Sequence, residues 1–195
     1  MTENAESGAR RRGRSWMLAF WVAAALALLL PLAAMQFTDE VDWTAFDFAF
    51  AAGMLGGVGL GLELAIRRTS STAYRVAAAL ALAAALLTVW ITGAVGIVGS
   101  EREPANLLFL GVLGVALAGA LLARFRPAGM AWTMAAAALA QLLVPFAAWI
   151  AWPEARPMIL SPEVPGSTVV FAGMWLLSAW LFRRAASHRE TRSAR

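Results

Sequence analysis

The sequence predicts an all-α fold, a polytopic transmembrane bundle of six helices with both termini cytoplasmic. Three observations carry that expectation. Of the 195 residues, 61% are hydrophobic and only 14% charged, too little polar surface to cover the core of a soluble domain of this length. The apolar residues fall in six long blocks, each near the roughly 20 residues that a helix needs to cross a bilayer. The basic residues, all arginine with no lysine, bracket those blocks unevenly.

Residues 1–15, MTENAESGARRRGRS, read as a disordered cytoplasmic tail ending in Arg10, Arg11, Arg12 and Arg14. The transmembrane domain then occupies 16–183, beginning with a span over about 16–35. A positive tail before an apolar run also describes a secretory signal, and Arg11-Arg12 invites a twin-arginine reading. The run exceeds a signal core of about 7–15 residues and no small-x-small cleavage site follows it, so a retained helix is expected. Pro31 leaves the carbonyl of Ala27 without its helical partner, which predicts a bend.

The second span covers 44–66 and closes on Arg67 and Arg68; a polar loop to Arg75 leads into the third, 76–98. The loop SEREP places Pro104 in the first turn of the fourth span, 105–123, where its missing N–H costs nothing. Pro127-Ala128-Gly129 makes the next turn, and the fifth span is 130–152. PEARPMILSPEVPG, with four prolines, is expected to lie extended over the membrane surface. The sixth span is 167–182, and residues 184–195 read as a second cytoplasmic tail.

Loop charges set the orientation. One side carries Arg10, Arg11, Arg12, Arg14, Arg67, Arg68, Arg75, Arg124, Arg126, Arg183, Arg184, Arg189, Arg192 and Arg195. The other carries only Arg102 and Arg156, among Asp39, Glu40, Asp42, Asp47, Glu101, Glu103, Glu154 and Glu163. Arginine-rich loops stay cytoplasmic, which puts both termini there. Because the arginines bracket membrane spans and form no patch on a folded face, no nucleic-acid partner is expected. A weak internal echo relates GMLGGVGLGLELAIRR (53–68) to GVLGVALAGALLARFR (111–126), as a duplicated helical hairpin would.

The second span holds Ala45, Ala49, Gly53, Gly57, Gly61 and Ala65 at every fourth position. Small residues let helix backbones approach, the interaction that holds helices together in lipid. Gly53, Gly57 and Gly61 are therefore expected packing positions, with this helix central and touching at least two others. Glu63 and Arg67 stand at i, i+4 in the favourable order for a local ion pair, and Glu63 is alternatively a proton or cation acceptor. Asp47 lies one turn inside the same span, either hydrated at the interface or a ligand. Its offset of about 160° from Glu63 around the helix argues against one conduit shared by the two.

Thr88 and Thr92 repeat at fourth positions in the third span, and Gln141 lies near the middle of the fifth, four residues before Pro145. Polar groups at that depth need partners. Helix-to-helix hydrogen bonding satisfies them in one reading. In the other, Asp47, Thr88, Thr92 and Gln141 line a small polar pocket. Trp16, Trp43, Trp149 and Trp152 fall at span ends, as indoles favour, whereas Trp90 and Trp175 are expected to pack inside.

Many chemistries lack their residues. There is no cysteine, and the one histidine, His188, is in the tail, which removes thiolate metal sites and haem ligation by a histidine pair within the membrane. Without lysine there is neither Ser–Lys chemistry nor a retinal Schiff base, and no Gly-Lys pair forms a phosphate loop. No cofactor and no enzymatic activity are expected.

The stretches EVDWTAFDF (40–48), GLELAIRR (61–68), GAVGIVGSE (93–101), PANLLFLGVLGV (104–115) and ARFRPAGMA (123–131) resemble a group of small bacterial multi-span inner-membrane proteins with no assigned activity. The resemblance covers spans two to five, implies a compact bacterial inner-membrane protein and transfers no functional residue. Two expectations follow for function. One is a structural or accessory protein of the inner membrane, whose Gly/Ala faces pack a partner or a second copy; the other is a small permease or ion-coupled carrier. A carrier needs a hydrated cavity reaching Gln141, whereas an accessory protein has a filled interior and an open small-residue face.

Overall fold

The computed structural model describes residues 2–193, with side chains described over 17–187. His188 lies outside those side chains. The described chain is helical throughout, without strands, and six helices are long and apolar enough to cross a membrane. It divides into two compact units, Met1–Arg68 and Thr69–Arg195.

The first unit is a helical pair, α1 (Thr2–Ala34) and α2 (Ala45–Arg68). Helix α1 begins well before the apolar run, so the stretch read as a disordered tail is a helical extension. An existing helix propagates at little cost into alanine, arginine and glutamate, all good helix formers. The close approach in this pair is at Gly59, where an added Cβ would lie 2.6 Å from the Trp21 ring and 2.8 Å from that of Phe20.

Within this unit the close contact is not made at the glycines whose spacing marks a packing face. A Cβ on Gly53 or Gly57 would meet nothing within 4 Å, and Gly61 is half-buried. The buried positions of α2 are Ala51, Gly59 and Ala65, which share an arc of about 120°; Gly53 stands roughly opposite its centre. Within its own unit α2 has α1 as its one neighbour, which does not make it central there.

The second unit is an up-down bundle of four long helices. They are α3 (Thr72–Ala94), α4 (Leu107–Leu122), α5 (Pro127–Ala151) and α7 (Glu163–Ser193), with a short α6 (Arg156–Ile159) before the last. Helix α7 packs on both α3 and α5, and α4 packs on α5 and, less extensively, on α3. The α5–α7 pair has the most extensive contact. Its seam reads off the buried positions: Met130, Met134, Ala137, Gln141, Val144 and Ala148 on α5, and Val164, Thr168, Phe171, Trp175, Ser178, Phe182 and Ala185 on α7. Both series alternate steps of three and four, the repeat of knobs-into-holes packing. The alanines bring the backbones close enough for dispersion to hold the pair. Between α4 and α5 the approach is closer still, since a Cβ on Gly119 would fall 2.5 Å from Thr133 Cγ2.

The proline-rich connection is not extended. Pro153 opens a 3₁₀ turn (Pro153–Ala155), Pro157 sits in the first turn of α6 and Pro165 in that of α7. At those positions proline gives up no helical hydrogen bond. Helix α7 continues to Ser193, through the residues read as the C-terminal tail. Trp90 is 47% exposed and faces outward, whereas Trp175 is 1% exposed and central to the core.

Candidate functional site

Of the four residues expected to share a polar pocket, one lies in the first unit and three in the second. Asp47 belongs to the first unit, where it caps α2. Its Oδ2 accepts from Thr44 N–H and Thr44 Oγ1, both at 2.7 Å, and Asp47 N–H donates back to Thr44 Oγ1 at 3.3 Å. That is a capping box with aspartate in the glutamate position, satisfying N–H groups that the first helical turn leaves open. Also in α2, Arg67 Nε donates to Glu63 Oε1 at 3.1 Å, and the Arg67 Nη2 group reaches the same oxygen. Arg67 is 75% and Glu63 34% exposed in this pair, so it contributes a few tenths of a kcal/mol, about 0.3–0.5.

Thr88, Thr92 and Gln141 belong to the second unit, and all three are buried. Thr88 Oγ1 donates to the carbonyl of Ala84 at 2.8 Å, one turn back on its own helix. Thr92 Oγ1 and both amide atoms of Gln141 have no hydrogen-bond partner. Two groups on α7 share that condition, Thr168 Oγ1 and Trp175 Nε1. Gln141 stands two residues past the middle of α5, and Trp175 is at the middle of the apolar segment Glu163–Ser187.

The register between α3 and α7 is fixed at two points. Ser178 Oγ donates to the carbonyl of Ala77 at 2.9 Å, and the rings of Tyr74 and Phe182 meet edge to face with centroids 5.0 Å apart. Followed along the antiparallel pair, that register puts Thr168 level with Thr88. The buried polar groups of the unit are thus all neutral: hydroxyls, the amides of Gln141 and Asn106, and the Trp175 indole. Among the described residues, no charged side chain is buried and no three His, Cys, Asp or Glu side chains group to hold a metal ion. This set can hydrogen-bond a neutral guest. It holds no group that titrates near neutrality, which proton relay requires.

Two further arrangements organise the ends of the bundle. At one end Asn106, 2% exposed, gathers the α3–α4 loop. Its Oδ1 accepts from the N–H groups of Ile97 and Val98, both at 2.9 Å, and its Nδ2 donates to the carbonyls of Val98 at 3.1 Å and Ser100 at 2.7 Å. Gly96 turns the chain into this loop at φ +82°, where a Cβ would strike the Ser100 carbonyl. At the other end Tyr74, 4% exposed, donates its hydroxyl to the carbonyl of Phe125 at 2.8 Å. Phe125 and Arg124 are both left-handed, at φ 57° and 49°, a conformation costing about 1–2 kcal/mol for each non-glycine residue. The sole tyrosine and an asparagine directly after Pro104-Ala105 were the visible signals for these two clamps.

Comparison of the chain with protein-family models, with curated proteins and with solved structures finds no match.

Proposed function

We propose that this chain is an integral protein of the bacterial inner membrane with a structural or accessory role, crossing the bilayer six times with both termini in the cytoplasm. The spans support the membrane reading by how little they bury: from 11% of Met17–Ala34 to 39% of Glu163–Ser187. The remainder includes exposed Leu30, Leu60, Leu122, Phe146 and Ile150, far more outward apolar surface than a monomeric soluble protein carries. The arginine asymmetry supports the orientation, and an even number of crossings returns both ends to one side.

One observation carries the accessory role over the carrier. The interior of the four-helix unit is filled by Trp175, Phe109 and Phe182, and Gln141 within it is 0% exposed. A permease needs a route for solvent to its polar site, and coupling to protons or cations needs a charge facing it. The open face at Gly53 and Gly57 suits the close approach of a partner helix or a second copy. The proposal includes no enzymatic activity, no cofactor and no nucleic-acid partner.

The unpartnered amide of Gln141 is what favours the carrier as a second reading, since a transported polar solute would satisfy it. Uptake by proteoliposomes containing wild type or Gln141→Leu separates the two. Leak-level flux in both is the expected result. Solute uptake by wild type that Gln141→Leu abolishes would establish the carrier.

A further inference from the structure

We propose that the end of the four-helix unit built on Tyr74 binds the phosphate headgroup of an anionic phospholipid, through Arg124, Arg126 and Arg183. The inference goes beyond an accessory role but rests on the chain's being in a membrane. Tyr74 is the pivot. Its hydroxyl holds the carbonyl of Phe125 and its ring packs against Phe182. The chain neighbours of those residues, Arg124 and Arg126 on one side and Arg183 on the other, are therefore held around one buried phenol. All three are exposed, and their side chains make no hydrogen bond or ion pair with the described residues. Two adjacent arginines are already engaged: Arg75 Nε donates to the carbonyl of Thr69 at 2.9 Å, and Arg184 stacks over Trp180 at 3.8 Å.

Like charges on one end of a bundle repel, and a protein ordinarily intersperses carboxylates among them. Here the carboxylates of the unit with described side chains, Glu101, Glu103, Glu154 and Glu163, all belong to the opposite end. The turn that presents Arg124 is moreover held left-handed at two successive residues. The charge is thus fixed in place by the fold, with no counterion among the described carboxylates of this unit. Guanidinium groups match phosphate oxygens in pairs, and span ends put these three at headgroup depth. A lipid phosphate diester supplies the missing anion there.

The test uses the full chain purified in a mild nonionic detergent, with native mass spectrometry counting bound dioleoylphosphatidylglycerol or dioleoylphosphatidylcholine added at equal concentration. Wild type is expected to prefer the anionic lipid by about tenfold or more, given the contribution of each basic residue near a charged headgroup. Arg124→Gln/Arg126→Gln should remove most of that preference. Arg67→Gln/Arg68→Gln, with the same charge change in the other unit, should leave it within about twofold. Arg183→Gln reaches the cluster from α7, so it gives the same reading without touching the strained turn. Equal loss from both double variants, or no preference in wild type, overturns the proposal. Displacement of the lipid by inorganic phosphate at constant ionic strength overturns the lipid in favour of free phosphate. Release of the chain from carbonate-washed membranes would instead overturn the membrane reading itself.

Discussion

Replacing Asn106 with leucine is expected to destabilise the four-helix unit by about 3–6 kcal/mol. The side chain makes four hydrogen bonds to the backbone of the α3–α4 loop, and Ile97 and Val98, whose N–H groups it accepts, are 6% and 0% exposed. Leucine has the same branching and number of heavy atoms, with bulkier methyl groups, but leaves both N–H groups without a partner. Each orphaned buried donor costs about 1–3 kcal/mol, more than the net worth of a hydrogen bond. Asn106→Asp should fall between, keeping the two acceptor bonds while turning a carboxylate toward the Val98 and Ser100 carbonyls. Thermal unfolding in detergent, followed by near-ultraviolet circular dichroism, orders the variants as wild type, Asp, Leu. A leucine variant within about 0.5 kcal/mol of wild type, the range of an ordinary surface change, would mean that solvent satisfies those groups in the folded protein.

Trp175→Ala is expected to cost about 3–5 kcal/mol by the transfer and cavity terms of a buried aromatic. Trp175 is the largest wholly buried side chain among the described residues, and it sits in the seam where α5 and α7 pack most extensively. Trp175→Phe separates volume from polarity. Phenylalanine keeps most of the ring and removes an N–H that has no partner, so its cost should stay below about 1.5 kcal/mol. If phenylalanine costs as much as alanine, the indole N–H is bonded, to an internal water or to a guest shared with Gln141. That outcome would favour the carrier reading and should reappear as uptake in proteoliposomes.

The six helices were legible because length and hydropathy alone specify a membrane span. The packing within them was less so. In a soluble helix the buried face is the apolar one, but an exposed leucine such as Leu139 and a seam residue such as Val144 are equally apolar. Periodicity then marks no face. Small residues narrow the choice without settling it. Gly53 and Gly57 have the spacing of a packing groove yet a Cβ there would meet nothing within 4 Å, while Ala137, Ala148 and Ala185 line the seam. Gln141 was legible as a lone amide in an apolar run. The capping of α2 by Thr44 and Asp47 is present in T-x-x-D, although a carboxylate one turn inside a span equally suits an interfacial or ligand role. Asn106 and Ser178 act on backbone groups that only the folded chain brings near, Ser178 on a carbonyl 101 residues away. Such contacts leave no local pattern to read.

Cysteine accessibility tests directly whether the chain crosses six times with the arginine-rich turns on one side. The native chain has no cysteine, so single substitutions carry no background. Gln36→Cys, Ser100→Cys and Ser161→Cys, in the acidic connections, should react with a membrane-impermeant maleimide on intact spheroplasts. Ser70→Cys and Ala128→Cys, beside the arginines, should react only after the membrane is opened. Labelling of Ser70→Cys and Ser100→Cys from the same side would show that α3 does not cross, and would contradict the account.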